Sequence, residues 1–158
     1  MLANDLLDFS YARAETASAF IAALAMFVKD WQAPIGMFGR LLTESDGRMD
    51  LKRNGLLPIV TAARTLALKY GIRPTSTVAR LTELKARSLV DSGMIERGIS
   101  AFSDIVRAVL AQQISDSRRG VRLSARVDVA TMGQEEKKNL TKSIRAINEL
   151  IGKTLELS

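Results

Sequence analysis

The sequence predicts an all-α fold, an antiparallel bundle of about five helices. The clearest sign is near its C-terminal end, where five aliphatic residues follow one another at spacings of three or four. These residues are Leu140, Ile144, Ile147, Ile151 and Leu155. This spacing places them on one face of a helix. No segment alternates apolar and polar residues between turn signals, so strands are not expected. Long helices with short connections favour antiparallel neighbours.

The first helix is predicted from Leu2 to about Trp31, a stretch that is rich in alanine and contains neither glycine nor proline. Four large apolar residues recur there at helical spacing, namely Phe20, Leu24, Phe27 and Trp31. Pro34 and Gly36 are expected to end this helix. Residues 33–54 then form a connection, because glycine is frequent there and the apolar pattern is weak.

The second and third helices have boundary signals in the sequence. Pro58 is expected in the first turn of the second helix, where its missing N–H costs nothing. Gly71 is predicted to close that helix in the left-handed conformation. The third helix begins after a hydroxyl of Thr75 or Ser76, which would cap its first N–H groups, and it fades by Leu89.

The fourth and fifth helices are the longest ones predicted after the first. Asp91 or Ser92 is expected to cap the fourth helix, which stops before Gly120. Thr131 and Gln134 have the spacing of a capping box, so the fifth helix is expected to begin with them.

Composition excludes several classes of chemistry. The 158-residue chain contains no cysteine, which rules out disulfides and thiolate catalysis. It contains no histidine, the commonest general base and metal ligand. Zinc hydrolysis and Ser-His or Cys-His triads are therefore excluded.

The chain carries a net charge of +6, and its pI is near 10.0. A basic surface attracts nucleotides, nucleic acid, acidic proteins or anionic membranes. It is equally consistent with an ordinary small domain that has no anionic partner.

No apolar stretch reaches the roughly 18–20 residues that a membrane span requires. The apolar run at residues 20–28 is short, and Asp5 and Asp8 precede it where a signal peptide would carry positive charge. We therefore expect a cytoplasmic protein with no membrane partner.

One candidate binding site lies before the second helix, where Asp50, Lys52 and Arg53 precede the helix start. Two cations beside helix N–H groups would favour a phosphate, and Arg64 is placed to reach the same side. Asp50 could cap a short turn there. The alternative to a binding site is structural, an ion pair of Asp50 with Arg64 or Arg80 that locks the loop. The residue types by themselves favour the structural alternative.

A second candidate is the basic run at residues 118–128. Its four arginines are Arg118, Arg119, Arg122 and Arg126. They have the charge to contact nucleic-acid backbone or an acidic partner, but no aromatic residue interleaves them to stack on bases. We interpret the run as a solvated loop and do not expect a nucleic-acid partner.

The carboxylates give no sign of metal-dependent phosphoryl transfer. Asp-x-Asp does not occur in the chain, and Gly-rich phosphate loops are absent. Glu135 and Glu136 begin the last predicted helix, where negative charge suits the helix dipole. The chain is therefore not expected to contain a self-contained catalytic site.

Three segments resemble one known family, described as the putative nucleotidyltransferase substrate-binding domain. They read DLKRNGLLPIVTAARTLALKYGI, TSTVARLTEL and AFSDIVRAVLAQQ, and the resemblance extends from about Leu6 to Leu155. The matching residues are Asp50, Leu51, Lys52, Gly55, Pro58, Ile59, Val60, Arg64, Ala67, Leu68, Thr77, Arg80, Leu81, Ala101, Phe102 and Gln112 or Gln113.

Such domains typically lie at the C-terminus of bacterial multidomain proteins, beside a nucleotidyltransferase domain and often behind cyclic-nucleotide-binding-like and CBS domains. The resemblance implies that residues 1–158 are one helical domain, the C-terminal part of a longer protein. It also implies relationship to the uridylyl- and adenylyltransferases of nitrogen signalling. Upstream catalytic and regulatory domains would be its partners, and a second copy of the chain is a further candidate partner.

The implied function is to help a separate catalytic domain hold a nucleotide or its acceptor. Substrate-binding residues would be Asp50, Lys52, Arg53, Arg64 and Arg80. No cofactor is expected in this chain by itself; nucleotide with Mg²⁺ would bind only together with the catalytic domain. The alternative is a regulatory or protein-interaction bundle for signal transduction, which would dock through its apolar first helix.

The chain departs from the family pattern at two points. The family often has Asp-x-Arg near the start of its first helix, whereas Tyr11 precedes Arg13 where the acid would stand. The catalytic motif, a Gly-Ser pair followed by paired aspartates, is absent from this chain. Catalysis, if it occurs, would therefore belong to a partner domain.

Overall fold

A computed structural model of the chain describes residues 18–31, 35–36 and 40–157, together with residues 5, 8, 9, 12 and 13. Five α-helices dominate it, which confirms the all-α prediction. They are α1 (Ser18–Lys29), α2 (Leu57–Lys69), α3 (Thr77–Ala86), α4 (Ser92–Arg118) and α5 (Gln134–Leu155). The predicted helix stop at Pro34 and the departure at Tyr11 fall outside the described residues.

The core forms around α5, which packs against α1, α2 and α4. Four residues of its predicted seam are buried, namely Leu140, Ile144, Ile147 and Ile151, and Leu155 is half-buried. A fully buried aliphatic side chain contributes about 1.5–3 kcal/mol relative to an exposed one. The spacing that predicted the helix therefore also predicted the face by which it packs.

Three predicted helix boundaries are confirmed. Gly71 has a φ of 62°, a conformation that costs glycine little, and it follows the end of α2. Ser76 caps α3, where its hydroxyl accepts a hydrogen bond from the Ala79 N–H at 3.1 Å. Asp91 caps α4 in the same way, accepting from the Met94 N–H at 2.7 Å. Each cap satisfies an N–H group that has no partner within its helix.

The predicted start of α5 is wrong in detail. The residue before the helix is Gly133, whose N–H donates to the Glu136 carboxylate at 2.7 Å. Thr131 instead donates its hydroxyl to the Asp128 carbonyl oxygen at 3.0 Å, within the preceding turn. Thr131 therefore stabilises the preceding turn, and Gln134 is the first residue of the helix. The two residues do not form the predicted capping box.

The expectation of no strands is also wrong. β1 (Arg48–Asp50) pairs antiparallel with β2 (Arg126–Asp128), and buried Met49 lies opposite buried Val127. Three residues are too few for a visible alternation of apolar and polar side chains, so the sequence pattern could not reveal this pair. The basic run is exposed at its first three arginines, as predicted for a solvated loop, but Arg126 belongs to β2.

One face of α1 is buried through Ile21, Ala25 and Val28. The predicted apolar stripe of this helix lies on a different face, where the side chains of Phe20 and Phe27 are 51% and 54% exposed. Within the part of the chain that the structure describes, no helix combines the length and the apolar character that crossing a membrane would require.

Candidate functional site

Asp50 organises the segment that the sequence singled out. One of its carboxylate oxygens accepts hydrogen bonds from the N–H groups of Lys52 and Arg53, at 2.9 and 3.1 Å. Its carbonyl oxygen accepts from the Asn54 side-chain amide at 2.9 Å. Asp50 therefore caps the chain where β1 ends, and among the described residues it forms no ion pair with Arg64 or Arg80.

The capped segment is a short π-helical turn, Lys52–Leu56, which runs directly into α2. Lys52 and Arg53 are exposed on this turn. The Asp50 carboxylate binds the backbone N–H groups of both residues. The backbone from which these two cationic side chains extend is therefore fixed. The turn continues into the helix, so there is no separate, freely accessible N-terminus at Pro58.

A cleft of about 290 Å³ opens between the end of α1, the segment before β1 and the π-helical turn. We call it the hairpin cleft, after the tight turn at residues 44–48 that borders it. The polar and aromatic residues that line it are Asp30, Trp31, Thr43, Glu44, Arg48, Arg53 and Asn54. Two cations, two carboxylates and an indole ring therefore border the same space.

The ring of Trp31 has a defined orientation at one wall of this cleft. It meets Phe27 edge-to-face, with ring centroids 4.6 Å apart and an angle of 62° between the planes. The backbone N–H of Trp31 donates to the Val28 carbonyl oxygen at 3.0 Å, which fixes the main chain that carries the ring. Trp31 is only half-buried, so part of its surface is available for contact with another molecule.

Arg48 reaches the cleft from a tight turn. The Glu44 N–H donates to the Arg48 carbonyl oxygen at 2.8 Å, and the Gly47 N–H donates to the Glu44 carbonyl oxygen at 2.9 Å. Gly47 has a φ of 76°, which suits glycine and few other residues. This turn fixes the backbone of Arg48, which lines the same cleft as Arg53 of the π-helical turn.

Arg126 secures the same turn from β2. Its guanidinium contacts the carboxylates of Glu44 and of Asp46, the latter at 3.1 Å. Exposed pairs of this kind contribute little energy individually, about 0–1 kcal/mol. Arg126 nevertheless offsets the negative charge that Glu44 brings to the cleft.

The family model of the putative nucleotidyltransferase substrate binding domain matches residues 18–154. The chain belongs to this family. No curated protein and no solved structure is a significant match to it. The matched range covers both strands and, apart from the last residue of α5, all five helices.

Several residues that carry the resemblance to this family of substrate-binding domains serve packing. Gly55 is buried, and a Cβ placed on it would lie 3.0 Å from Ile105 Cγ2. A side chain there would separate the π-helical turn from α4. Ile59 and Ala101 are buried in the core as well. The family motif therefore describes how α2 and α4 meet, in addition to any site.

Gln112, another matching residue, binds a buried carboxylate. Asp116 is 2% exposed and accepts from the Gln112 amide at 2.8 Å and from the Ser124 N–H at 3.0 Å. Arg119 also donates to it at 3.1 Å. Burial raises the pKa of the Asp116 carboxyl, but these hydrogen bonds and the charge of Arg119 outweigh burial and lower it overall. The cluster holds the loop after α4 against the end of that helix.

The other two predicted site residues lie elsewhere in the domain. Arg64 is exposed on α2, about 16 Å along the helix axis from Arg53 at 1.5 Å per residue. Arg80 is 8% exposed, and its Nε donates to the Pro74 carbonyl oxygen at 2.9 Å, beyond the far end of α2. The structure therefore brings Asp50, Lys52 and Arg53 together but not Arg64 or Arg80. A substrate-binding role for the five residues stays a prediction.

Sequence reasoning missed Arg48, Asp30 and the place of Trp31 in the cleft. Trp31 was visible only as the last residue of an apolar stripe. Arg48 gave no signal, because its position depends on the pairing of β1 with a strand far along the chain. Within the described ranges, no group of three or more carboxylates is arranged to hold a metal ion.

Proposed function

We propose that this domain helps a separate nucleotidyltransferase domain hold its nucleotide or acceptor, in a longer protein of which residues 1–158 are the C-terminal part. The observation that carries the proposal is the family match over residues 18–154. A catalytic domain and upstream regulatory domains are its proposed partners. The proposed location is the cytoplasm, where nucleoside triphosphates are available.

The side chains of the hairpin cleft support a binding role for this domain and a catalytic role for its partner. Arginine and tryptophan side chains suit phosphates and aromatic bases. The chain contains neither Asp-x-Asp nor histidine, the residues from which a metal-dependent or acid–base transfer site is commonly built. We therefore assign Mg²⁺ binding and the transfer step to the catalytic domain.

The first experiment is to measure the length of the native gene product with an antibody raised against this domain. A product much longer than 158 residues would provide the catalytic partner for assay. Transfer of labelled nucleotide by that intact product is then compared with transfer by a version without residues 18–154. We expect at least a tenfold loss of kcat/KM in the shortened version, with its catalytic domain still folded and binding nucleotide.

An equal rate of transfer without this domain would contradict the proposal. An unrelated helical protein added in its place serves as the control for nonspecific effects. A native product of only about 158 residues, with no domain before this one, would also contradict the proposed domain arrangement.

The exposed face of α1 favours a second candidate function, protein interaction for signal regulation. Phe20 and Phe27 lie seven residues apart, so they share one helix face, and each is more than half exposed. Aromatic residues are enriched at protein interfaces. Sedimentation of the chain at increasing concentration tests a second copy as the partner. Self-association that Phe20→Ser weakens would support it, and a monomer at every concentration would contradict it.

A further inference from the structure

We propose that the hairpin cleft binds a nucleoside triphosphate, with the base against Trp31 and the phosphates against Arg48 and Arg53. This inference rests on the proposed function and deepens it, because it identifies the nucleotide, rather than the acceptor, as what this domain holds. Arg64 and Arg80 do not line this cleft.

The indole of Trp31 offers the base a surface that is already oriented. Its edge-to-face contact with Phe27 restricts the ring before any ligand arrives. Less conformational entropy is then lost on binding than with a mobile side chain. Stacking on an aromatic ring accepts every base, because each base has a π face. The cleft therefore predicts nucleotide binding without strong base preference.

Arg48 and Arg53 provide two positive charges from two different backbone segments. Among the described residues, neither guanidinium is paired with a carboxylate, whereas Arg126 beside them is occupied by Glu44 and Asp46. Arginine presents several N–H donors in a planar fork that matches phosphate oxygens. Two unpaired arginines at one cleft are therefore suited to a polyphosphate chain.

The two carboxylates of the cleft fit the same ligand. Glu44 is neutralised by Arg126, so its charge opposes a phosphate only weakly. Asp30 is the neighbour of Trp31 in the chain and lines the cleft beside it. A carboxylate accepts hydrogen bonds, and the ribose hydroxyls adjoin the base that we place on Trp31. Asp30 is therefore assigned to the ribose.

The size of the cleft indicates a shared site. Its volume of about 290 Å³ is slightly below the range of roughly 300–1,000 Å³ for complete small-ligand pockets. The cleft thus covers only part of a nucleoside triphosphate. The uncovered part of the triphosphate would face the catalytic domain, which is where the transfer step needs it.

Trp31 also makes the test direct, because it is the single tryptophan of the chain. Its fluorescence is titrated with ATP, GTP, CTP and UTP on the 158-residue protein, with adenosine and inorganic triphosphate as partial ligands. We expect saturable quenching by the four nucleotides and weaker binding of each partial ligand. No saturable quenching by any of the four would overturn the proposal, as would inorganic triphosphate that binds as tightly as ATP.

Three arginine variants then locate the site. Arg48→Ala and Arg53→Ala are each expected to weaken nucleotide binding by about tenfold, the usual effect of losing a charge-assisted hydrogen bond. Arg145→Ala removes the same charge from an exposed position on α5, outside the cleft, and is expected to leave the affinity unchanged. Equal losses in all three variants would overturn the proposal, because they would indicate nonspecific attraction to a basic protein.

Calorimetry of Trp31→Phe and Trp31→Ala tests the stacking. The phenyl ring should retain most of the affinity, whereas alanine should lose about tenfold or more. Circular dichroism of each variant confirms that the bundle is folded. These measurements use the isolated domain, so a negative result would overturn nucleotide binding at the cleft without contradicting the proposed function. The proposed function is tested separately, by whether transfer by the intact protein depends on residues 18–154.

Discussion

Gly98 in α4 and Leu150 in α5 mark a point of very close approach between these two helices. A Cβ placed on Gly98 would lie 2.5 Å from Leu150 Cδ1, well inside van der Waals contact. Leu150 is fully buried, so its side chain has little room to move away. The absence of a side chain at residue 98 therefore allows the Leu150 side chain to fill the space between the helices.

Gly98→Ala is expected to lower the free energy of unfolding by about 1 kcal/mol. Overpacking costs about 1–3 kcal/mol, and alanine regains about 1 kcal/mol in helix propensity. Gly152→Ala in α5 is the matched control, because a Cβ there has no neighbour within 4 Å. It should gain up to about 1 kcal/mol. Urea unfolding measures both, and an equal gain in the two variants would contradict the packing we describe.

Asp116→Asn is expected to destabilise the domain at neutral pH and to flatten its pH dependence in acid. The pKa of Asp116 is lowered from its ordinary value of 3.8, so the ionised carboxylate stabilises the fold above about pH 4. That stabilisation is lost as the pH falls through the lower pKa of the folded state. Urea unfolding at a series of acidic pH values measures the slope.

Glu135→Gln is the control for this pH dependence. Its carboxylate is 73% exposed, at 3.9 Å from the Lys138 ammonium, and such pairs contribute little. This variant should keep the acidic slope of the wild type. If Asp116→Asn kept the same slope as well, folding would not lower the pKa of Asp116.

Asp50→Ala should cost about 0.5–2 kcal/mol of stability, the usual cost of losing a capping side chain. Asp50→Asn keeps an acceptor oxygen for the Lys52 and Arg53 N–H groups and should retain most of that stability. Thermal unfolding compares the two. An equally large loss in both variants would mean that the charge of Asp50, and not its capping geometry, matters.

Arg80→Ala is expected to reduce stability by about 1.5–3 kcal/mol, because it removes a charged donor from the Pro74 carbonyl oxygen in a buried position. Arg64→Ala, on the exposed surface of α2, should change stability by less than about 0.5 kcal/mol. Nucleotide titration of both variants accompanies the unfolding measurement. A folded Arg80→Ala protein that had lost nucleotide binding would favour the substrate-binding role that the family resemblance implied.

The predicted site was partly recoverable from sequence. Asp50, Lys52 and Arg53 are close in the chain, so their proximity followed from their numbers. Arg64 was expected on the same side, but the rise of a helix carries it about 16 Å away. Arg80 was grouped with them through the family motif, and its buried hydrogen bond to Pro74 gives it a structural contact at the opposite end of α2.

The sequence by itself determined the all-α class, the caps at Ser76 and Asp91, the close of α2 at Gly71 and the buried seam of α5. Each of these depends on residues within a few turns of one another, so local propensity and periodicity are sufficient. Only the tertiary structure decided that Trp31 and Arg48 border one cleft with Arg53. The turn that carries Arg48 is held by the pairing of Met49 with Val127 and by the contacts of Arg126, and pairing between such distant, short segments leaves no local pattern to read.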